Sequence, residues 1–582
     1  MPLPRAIDAG PFPGGELTQA DFFRIHDRTL EVLSTSGMWF GSEAALARFR
    51  ERGFKTDGRI VFFEAADIES ALDTTANRFT LLARNPAHSI DFHPDATVVG
   101  MGRSAAFVMD GNRRRRSATC DDFIELTKLA QSLPAVQMLG NLVTPGDIPP
   151  AAVAAFMGVS QLRYSDKPCI FLDEGDLDLL CIAFGITRDR IKADAERRLA
   201  YGQATVNPLS PLAVSSEQAD FLMVAAEYGM PISISPTPAT GSTGPCTLAG
   251  TLLLNNCEVL ALLVLTQIVR PGLPVLYGTF PSGVDMRTMI GTYGSPEARL
   301  MESAAARIAK HYGLLTRGNV GATDALSCDF QSGAESMFNF ATAMASRINH
   351  LPGCGHLGSF AAASREKMVL DAEAAAYARR WMRPIDFSDE ALAADLIQQV
   401  GPRSNYLTST HTFAHFRSEL HHPELFSRAT YLKWAEDARD LAARAEAKAD
   451  ALLAAYVRPE MDPETDAALA RFLTPVFPPK PARSHDFARR MRRRRRPSWR
   501  GRSGPIAPGV VNLFEDTGTA HHGGKRQPRS GRLFRHADHE KAADGHGADD
   551  PGKDRRDGRR QMIGEEVVPE KDQVKIPRRG RI

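Results

Sequence analysis

Eight short apolar segments, each followed by a polar corner and then an amphipathic stretch, run between residues 101 and 355. Strands that alternate with helices pair in parallel, and eight such units in roughly 250 residues are what a closed (β/α)8 barrel requires. The sequence therefore predicts an α/β fold, a (β/α)8 TIM barrel, with its functional residues in the corners after the strands. The predicted strands begin near Ala106, Val136, Cys169, Gln203, Pro231, Pro274, Leu314 and His350.

Patterns on both sides of this repeat predict further segments. Residues 1–17 are expected to form a flexible N-terminus, and residues 18–100 to form helices and a β-hairpin packed on the barrel. The barrel is assigned to residues 101–382, a C-terminal helical extension to 383–473, and a disordered basic tail to 474–582. Helices are predicted over 18–35, 41–52, 66–75, 364–381, 391–400 and 431–456. Ser295 predicts a helix cap, and Ser215 with Gln218 predicts a capping box.

The charge of the chain is divided between a body and a tail. Residues 483–582 carry 26 Lys and Arg against 14 Asp and Glu, a net charge of +12, whereas the remainder has a net charge of −10. The tail contains few buried-type residues, so it cannot offset the entropy of ordering the chain and is expected to be disordered. A solvated native tail and an out-of-frame extension of the coding sequence are both open readings, and no nucleic-acid partner is expected.

Cysteine usage and hydropathy bear on location. Seven cysteines without framework spacing favour a reducing cytoplasm. Residues 1–17 lack the basic and apolar regions of a signal peptide. The longest apolar stretch, residues 248–269, is interrupted by Asn255, Asn256 and Glu258, so it predicts a buried helix rather than a membrane span. We therefore expect a cytoplasmic protein with no membrane association.

The corners after the later strands are rich in polar residues and glycine, which indicates either ligand contact or simply tight turns. Cys354 and His356 are too sparse for a metal site. His411 and His415 lack the Glu of a His-Glu-x-x-His motif, so no metal is expected in this chain. Candidate residues in the corners are Asn207, Ser210, Tyr277, Phe280, Arg317, Asp324, Asp329, Gln331, Glu335 and His350.

These corners, in this order, resemble the trimethylamine methyltransferase (MttB-like) family of corrinoid-dependent amine methyltransferases. The resemblance rests on several phrases between residues 22 and 473, since no single motif carries it. The matching phrases are Asn207–Pro211, Gly250 with Glu258, Gln267 with Pro271–Pro274, Gly283–Thr288, Gly294–Glu297, Asp324 with Gln331 and Glu335, Leu370–Asp371 with Glu373, and Gly401 with His411–Thr412, Phe416–Arg417 and Pro423.

The resemblance implies that a (β/α)8 barrel moves a methyl group from an amine to the cobalt of a corrinoid (cobalamin) supplied by a partner protein. The trimethylamine-using members carry pyrrolysine, but this chain contains only standard residues. The pyrrolysine-free members that act on glycine betaine are therefore the closer analogy. The expected partners are a cognate corrinoid protein, a small methylated amine and, in a homo-oligomer, further copies of the chain.

Site roles follow from this resemblance and from the chemistry of the donor. A quaternary ammonium needs aromatic faces or carboxylates around it, and a betaine also needs an arginine for its carboxylate. We expect Asp324, Gln331 and Glu335 to be catalytic, with Arg317 preferred to Arg287 for the carboxylate. The predicted substrate-binding residues are Asn207, Ser210, Tyr277, Phe280, Arg317, Phe330, Phe338 and His350.

Several alternatives stay open from the sequence. Asp329 or Glu335 could equally cap or salt-bridge a helix, and a buried ion pair is the favoured reading of Glu258. Two other functions are compatible with the pattern: a catalytically silent barrel that binds a betaine-like ligand, and a methyltransferase that uses a folate acceptor directly.

Overall fold

The protein is described by a computed structural model that covers residues 17–109, 114–171, 174–278 and 280–473. The predictions for residues 1–16 and for the basic tail fall outside the described residues. The helices are α1 Gln19–Thr35, α2 Glu43–Glu51, α3 Ala65–Thr74, α4 Cys120–Ser132, α5 Pro150–Tyr164, α6 Gly175–Phe184, α7 Arg188–Ala195, α8 Ser216–Glu227, α9 Leu248–Val269, α10 Pro296–His311, α11 Phe330–Ala345, α12 Arg365–Met382, α13 Asp389–Leu392, α14 Ala394–Val400, α15 Thr410–Glu419, α16 Tyr431–Ala435, α17 Leu441–Ala454 and α18 Pro463–Phe472.

The strands are short. They are β1 Met38–Phe40, β2 Thr56–Asp57, β3 Ile60–Val61, β4 Phe79–Leu81, β5 Ile90–Phe92, β6 Val98–Met101, β7 Phe107–Met109, β8 Arg115–Ser117, β9 Leu199–Ala200, β10 Ala204–Val206, β11 Ala213–Val214, β12 Ile232–Ile234, β13 Val275–Gly278, β14 Gly283–Asp285, β15 Ile290–Thr292, β16 Leu315–Arg317, β17 His350–Cys354, β18 His356–Leu357 and β19 Ala362–Ala363.

The central sheet has six strands in the order β10-β12-β13-β16-β17-β6, and all of its pairs are parallel. Its strands alternate along the chain with helices, so the predicted mixed α/β fold is confirmed. The strands predicted near Gln203, Pro231, Pro274, Leu314 and His350 correspond to β10, β12, β13, β16 and β17. This register brings the carboxyl ends of the six strands to one edge, as it must in any parallel sheet.

Between β6 and β10 the described residues form no regular strand of this sheet. Isolated β-bridges nevertheless connect segments in this interval to the sheet. Gly100 pairs in parallel with Met138, and Ile170 pairs in parallel with Gln203. The Leu139 N–H donates to the Pro168 carbonyl at 2.9 Å. The strands predicted near Val136 and Cys169 are thus represented by isolated bridges rather than by regular ladders.

The first predicted strand is wrong. The pattern placed it near Ala106 and assigned the preceding residues to a hairpin, whereas the sheet uses β6, Val98–Met101. All four residues of β6 are buried, as expected of a parallel strand covered on both faces. The segment after Ala106 forms β7, which pairs with β8 and β19 in a separate four-stranded sheet.

The hairpin β4–β5 closes the amino end of the central sheet. The two strands pair antiparallel, and β4 also pairs with β9. A separate apolar cluster holds side chains of the hairpin and side chains from the first residues of the central strands. Its members are Phe79, Leu81, Ile90, Phe92, Val98, Met138, Ile170, Ala200, Leu276 and Leu315. This apolar layer covers the amino end of the central strands.

The structure confirms the predicted helix cap at Ser295 and corrects two other predictions about helices. Ser295 caps α10, Ser364 caps α12 and Ser215 caps α8. The predicted capping box at Ser215 is not formed, because the Gln218 side chain accepts instead from the Asn207 N–H at 2.9 Å. The helix predicted over 431–456 is broken into α16 and α17, where Asp440 supplies a new cap.

Among the described residues, one helix, α9, has the length and apolar composition that would allow it to cross a membrane. Its middle, from Leu260 to Leu265, is buried in the main core, which is typical of a core helix. Helices α1, α2 and α3 pack against α9, on the outside of the sheet. The N-terminal helices therefore lie beside the sheet, and no described residue before β6 lines the cavity at its carboxyl end.

Candidate active site

A cavity of about 220 Å³ opens at the carboxyl end of the central sheet. It is lined by Gly102, Arg103, Ser104, Thr205, Asn207, Thr237, Phe280, Arg317, Asn319, Pro352, Gly353, His356 and Phe360. Arg317 ends β16 and Asn319 lies two residues beyond it, just as Thr205 lies in β10 and Asn207 directly after it, and side chains two residues apart point to the same face of an extended chain. The strands thus direct a regular set of polar side chains into one space.

Two arginines dominate the charge of the cavity. Burial lowers the pKa of Arg317 to about 9, and the neighbouring Arg103 lowers it further while Glu302 opposes the shift. Burial lowers the pKa of Arg103 to about 10. The Arg317 guanidinium donates to Ser235 Oγ at 3.1 Å. Both side chains remain cationic at neutral pH, so this part of the cavity is suited to an anionic group such as a carboxylate.

The end of β16 is braced by α10. Arg299 and Glu302 form a buried ion pair on that helix, and the Asn319 N–H donates to Glu302 at 2.7 Å. Arg299 also donates to the Asn319 carbonyl at 2.8 Å. The pair therefore fixes the backbone that carries Arg317 and Asn319.

Polar side chains continue below the cavity. Gln203 precedes Thr205 by two residues and His350 precedes Pro352 by two, so both point into the interior one layer deeper. Both are buried, and among the described residues both amide atoms of Gln203 and the His350 Nδ1 have no hydrogen-bond partner. Burial, with Arg317 and Arg103 nearby, holds the pKa of His350 well below its usual range, so its ring is neutral. Buried polar atoms of this kind call for water or ligand.

Three aromatic rings form what we call the aromatic corner, namely Phe280, Tyr293 and Phe360. The ring centroids of Tyr293 and Phe360 lie 4.6 Å apart in an edge-to-face arrangement, and Phe280 lies 5.4 Å from Phe360. Phe280 also faces the Arg317 guanidinium at 5.5 Å. The corner therefore stands next to the arginines, and faces of this type attract cations.

The backbone at Phe360 is held in an unusual conformation. Ser359 and Phe360 have φ angles of +52° and +72°, in the left-handed region that bulky residues avoid. The Ser359 N–H donates to the Thr323 carbonyl at 2.9 Å, and its hydroxyl donates to Asp324 at 2.8 Å. These bonds pin a strained turn that presents the Phe360 ring, a combination often found at functional sites.

Asp324 connects two members of the aromatic corner. Its carboxylate accepts from the Tyr293 N–H at 2.9 Å, from the Gly294 N–H at 3.1 Å and from the Ser359 hydroxyl. Burial raises the pKa of Asp324, although these hydrogen bonds oppose the rise. Its oxygens are engaged in holding backbone, and the residue does not line the cavity.

Glu335 and Gln331 support Asp324 from α11. Glu335 accepts from the Asp324 N–H at 2.8 Å, from the Thr323 hydroxyl and from Gln331 Nε2 at 2.7 Å. We call Asp324 and Glu335 the carboxylate brace. The structure brings the three predicted catalytic residues together, but in a bracing role behind the cavity wall.

Other predicted residues are placed away from the cavity. Tyr277 is fully buried in the core, where its hydroxyl donates to Asn256 at 3.0 Å. Ser210 donates to Glu258 at 2.8 Å. Phe330 is 90% exposed at the start of α11, and Phe338 is also exposed. Tyr277 points from β13 towards α9, and Ser210 lies on the loop after β10. Phe330 and Phe338 lie on the covering helix α11.

The sequence leaves the roles of Asp329, Arg287 and Glu258 open, and the structure shows which groups each of them contacts. Asp329 caps α11, accepting from the Ser332 N–H at 3.2 Å. Arg287 pairs with Asp285 in the β14–β15 hairpin and is largely exposed. Glu258 is not in an ion pair among the described residues, which corrects that expectation. It accepts from Ser210 and from the Leu212 N–H at 2.8 Å.

Sequence reasoning missed Arg103 and Phe360. Arg103 lies two residues after β6, the true first strand, and the sequence placed that strand too late in the chain to include it among the strand ends. Phe360 lies in a turn whose left-handed backbone leaves no glycine signature. Within the described residues, no group of three or more His, Cys, Asp or Glu is arranged to hold a metal ion.

Comparison with known proteins places the chain in a family. A family model described as trimethylamine methyltransferase (MTTB) matches residues 12–475. A glycine betaine methyltransferase of Desulfitobacterium hafniense (strain Y51) is 35% identical over 465 residues, which cover 78% of this chain and 96% of that protein. A proline betaine:corrinoid methyltransferase of Eubacterium limosum is 29% identical over 469 residues, which cover 77% of this chain and 95% of that protein.

Solved structures also resemble the chain. The crystal structure of the Methanosarcina barkeri monomethylamine methyltransferase (MtmB) aligns with a TM-score of 0.42 and 14% sequence identity. The alignment covers 63% of this chain and 76% of that chain.

Proposed function

The chain belongs to the trimethylamine methyltransferase family, and from that premise we propose that it demethylates a quaternary amine that carries a carboxylate, such as glycine betaine. The acceptor is the Co(I) of a corrinoid on a cognate partner protein. One observation carries the choice of substrate class: Arg103 and Arg317 line the same cavity of about 220 Å³ as Phe280 and Phe360.

The arginines favour a zwitterion over a simple ammonium ion. Two guanidiniums in a space of low polarity repel a bare cation, because charge interactions are stronger there than in water. A carboxylate offsets both charges and can accept paired hydrogen bonds from a guanidinium. Arg317 and Arg103 would therefore hold the carboxylate end, with Asn207 and Asn319 as further polar neighbours in the lining.

The aromatic corner suits the other end of the same molecule. A trimethylammonium group cannot donate a hydrogen bond through nitrogen, so ring faces are its natural partners. Phe280 and Phe360 line the cavity, and Tyr293 supports both rings from behind. The carboxylate brace adds negative charge to that side.

The reaction needs little from the protein beyond position and exclusion of water. The bond between nitrogen and one methyl carbon breaks, and its electron pair stays on the nitrogen of the departing dimethylamino acid. That leaving group is neutral at nitrogen, so no proton donor is required. A corrinoid supplies the Co(I) nucleophile that takes the methyl group. The cavity residues hold the ammonium in line with the opening, which lowers the entropic cost of the displacement.

The mouth of the cavity is compatible with a macrocycle carried by another protein. The segments that follow β10, β13 and β16 expose apolar side chains, namely Leu209, Met286, Met289, Ile290 and Leu326. The cavity opens to solvent, and the N-terminal helices pack on α9 instead of covering it. An apolar, open rim is what docking of a bulky, flat cofactor requires.

Finer features complete the proposal. We infer a closed (β/α)8 barrel, in which the segments around Met138 and Ile170 complete the ring through the bridges that cross the open interval. A cytoplasmic location is supported by seven cysteines that form no disulfide in the described part of the chain. A homo-oligomer remains our expectation.

Product analysis with the purified chain tests the function. Incubation with glycine betaine and the cognate corrinoid protein in its reduced state should yield dimethylglycine. Omission of the corrinoid protein should abolish the product. Dimethylglycine formed with a folate acceptor alone would identify a folate-dependent enzyme, whereas thermal stabilisation without any product would identify a silent binder.

A further inference from the structure

Asn319 presents an unused hydrogen-bond donor at the wall of the cavity. The residue lines the cavity and is only 2% exposed. Among the described residues, no atom accepts a hydrogen bond from its side-chain nitrogen, Nδ2. Leaving a buried donor unpaired is costly, so a group of this kind calls for a ligand or an ordered water.

The position of this donor is fixed by its neighbours. The Asn319 N–H donates to Glu302 at 2.7 Å, and the Asn319 carbonyl accepts from Arg299 at 2.8 Å. A Cβ at Gly353 would lie only 2.5 Å from the side-chain oxygen, Oδ1, so the absence of a side chain in β17 makes room for it. The amide oxygen therefore packs against β17, and the amide nitrogen is left for a ligand. A donor held in place in this way binds without the cost of ordering it.

Other polar side chains near the cavity do not share this arrangement. Gln203 and His350 also have buried atoms without a partner among the described residues, but neither of them lines the cavity. Asn207 lines the cavity but is exposed, so water can satisfy its amide. Asn319 is therefore the lining amide whose donor depends on a bound molecule.

The surroundings of the donor specify an anionic acceptor. Arg317 precedes Asn319 by two residues and lines the same cavity, as Arg103 does. None of the described residues that line this cavity is acidic. Residues two apart on an extended chain are separated by about 6–7 Å, so the two oxygens of one carboxylate can accept from the guanidinium of Arg317 and from the amide of Asn319.

We propose that Asn319 selects a carboxylated methyl donor, with its Nδ2 donating to one carboxylate oxygen while Arg317 holds the other. This inference rests on the proposed function and adds to it a residue that determines specificity. The charge at position 319 then decides the class of donor. Asn319→Asp places a carboxylate where the carboxylate of the substrate binds, so it repels a betaine and balances the charge of the arginines. The altered cavity then suits a compact quaternary ammonium that lacks a carboxylate.

Isothermal titration calorimetry on the full chain, with glycine betaine and tetramethylammonium as the two ligands, tests this. The wild type should bind glycine betaine at least about tenfold more tightly than tetramethylammonium. Asn319→Asp should weaken glycine betaine by about tenfold to a hundredfold, as expected for a lost hydrogen bond to a charged group, and should reverse the preference. Asn319→Leu has a similar shape without a donor and should weaken glycine betaine without improving tetramethylammonium. Asn405→Asp makes the same charge change at an exposed position and should leave both affinities unchanged.

Reversal of the preference is a result that a merely structural role cannot produce, because a damaged cavity loses both ligands. Unchanged affinity for glycine betaine in both Asn319 variants would overturn the proposal. Loss of both ligands from Asn319→Asp at the wild-type melting temperature would do the same, and Asn319→Leu carries the test if Asn319→Asp melts early. A wild type that binds tetramethylammonium in preference to glycine betaine would reject the proposed substrate class itself, so the two failures are distinguishable.

Discussion

At the scale of single residues, two arginines set the charge of the cavity, and the sequence alone identifies only one of them. Arg317, Phe280 and Asn207 could be predicted, because residues just after a parallel strand line the carboxyl end of a barrel. Arg103 could not, since the predicted hairpin extends past β5 and includes β6, which moves the first predicted strand to Ala106. The sequence predicts Asp324 and Glu335 as catalytic groups, and it cannot show that backbone N–H groups donate to their carboxylates.

Replacing Arg317 tests how the carboxylate is held. Arg317→Lys keeps the charge but loses the planar donor pair, so the Kd for glycine betaine should rise tenfold or more, about 1.4 kcal/mol. Isothermal titration calorimetry measures this directly. Arg287→Lys is the matched control, because Arg287 is paired on an exposed hairpin. Equal affinities for both variants and the wild type would remove Arg317 from the binding site.

Asp324 is predicted to act as a positioning residue. Asp324→Asn places an amide donor among three donors, and leaving buried donors unsatisfied costs about 1–3 kcal/mol. We expect kcat/KM for glycine betaine to fall by 10-fold to 100-fold, with a rise in KM because the aromatic corner loosens. Asp329→Asn, which alters only the cap of α11, should leave both constants unchanged. Normal KM in the Asp324 variant would contradict the bracing role.

Glu258 should make stability depend on pH. Burial raises its pKa to about 7, whereas an unfolded glutamate titrates near 4.5. The folded state therefore holds the proton more tightly, and stability falls as the pH rises from about 4.5 to about 7, by up to about 3 kcal/mol. Urea unfolding across this range should show that Glu258→Gln loses this component. The surface variant Glu460→Gln should retain it, and parallel curves for wild type and Glu258→Gln would refute it.

At the scale of elements, close approach of backbones explains where the sheet tolerates no side chain. A Cβ at Gly278, the last residue of β13, would lie 2.3 Å from the Ile234 carbonyl oxygen of β12. Neither strand can move without breaking the sheet. The corners were recognisable as glycine-rich, but the sequence could not distinguish this packing requirement from turns or ligand contact.

A pair of glycine substitutions tests that distinction. Gly278→Ala should lower the free energy of unfolding by more than about 2 kcal/mol, since overpacking of a rigid interior costs about 1–3 kcal/mol or more. Gly333→Ala, at an open position on α11, should instead raise it by about 0.5–1 kcal/mol. Chemical denaturation gives both values. A neutral Gly278→Ala would mean that the strands can separate at this point.

At the scale of the whole molecule, the alternation of strands and helices predicted the mixed α/β fold and most of the central sheet. It did so because the central strands are short segments that are buried throughout, and several helices have local caps such as Ser295 and Ser364. Prediction was poorer within residues 383–440, where the helix predicted over 391–400 is interrupted at Ala393 and the helix predicted over 431–456 is interrupted before Asp440.

The choice of substrate is also a property of the whole site, since it depends on two arginines and three rings that come from separate strands and loops. The most direct test compares two donors in one assay, with the purified chain and its reduced corrinoid partner. Glycine betaine should be demethylated at a kcat/KM at least about a hundredfold above that of trimethylamine, in line with the roughly 2.7 kcal/mol expected for losing a buried carboxylate contact. Equal or faster turnover of trimethylamine would contradict the account.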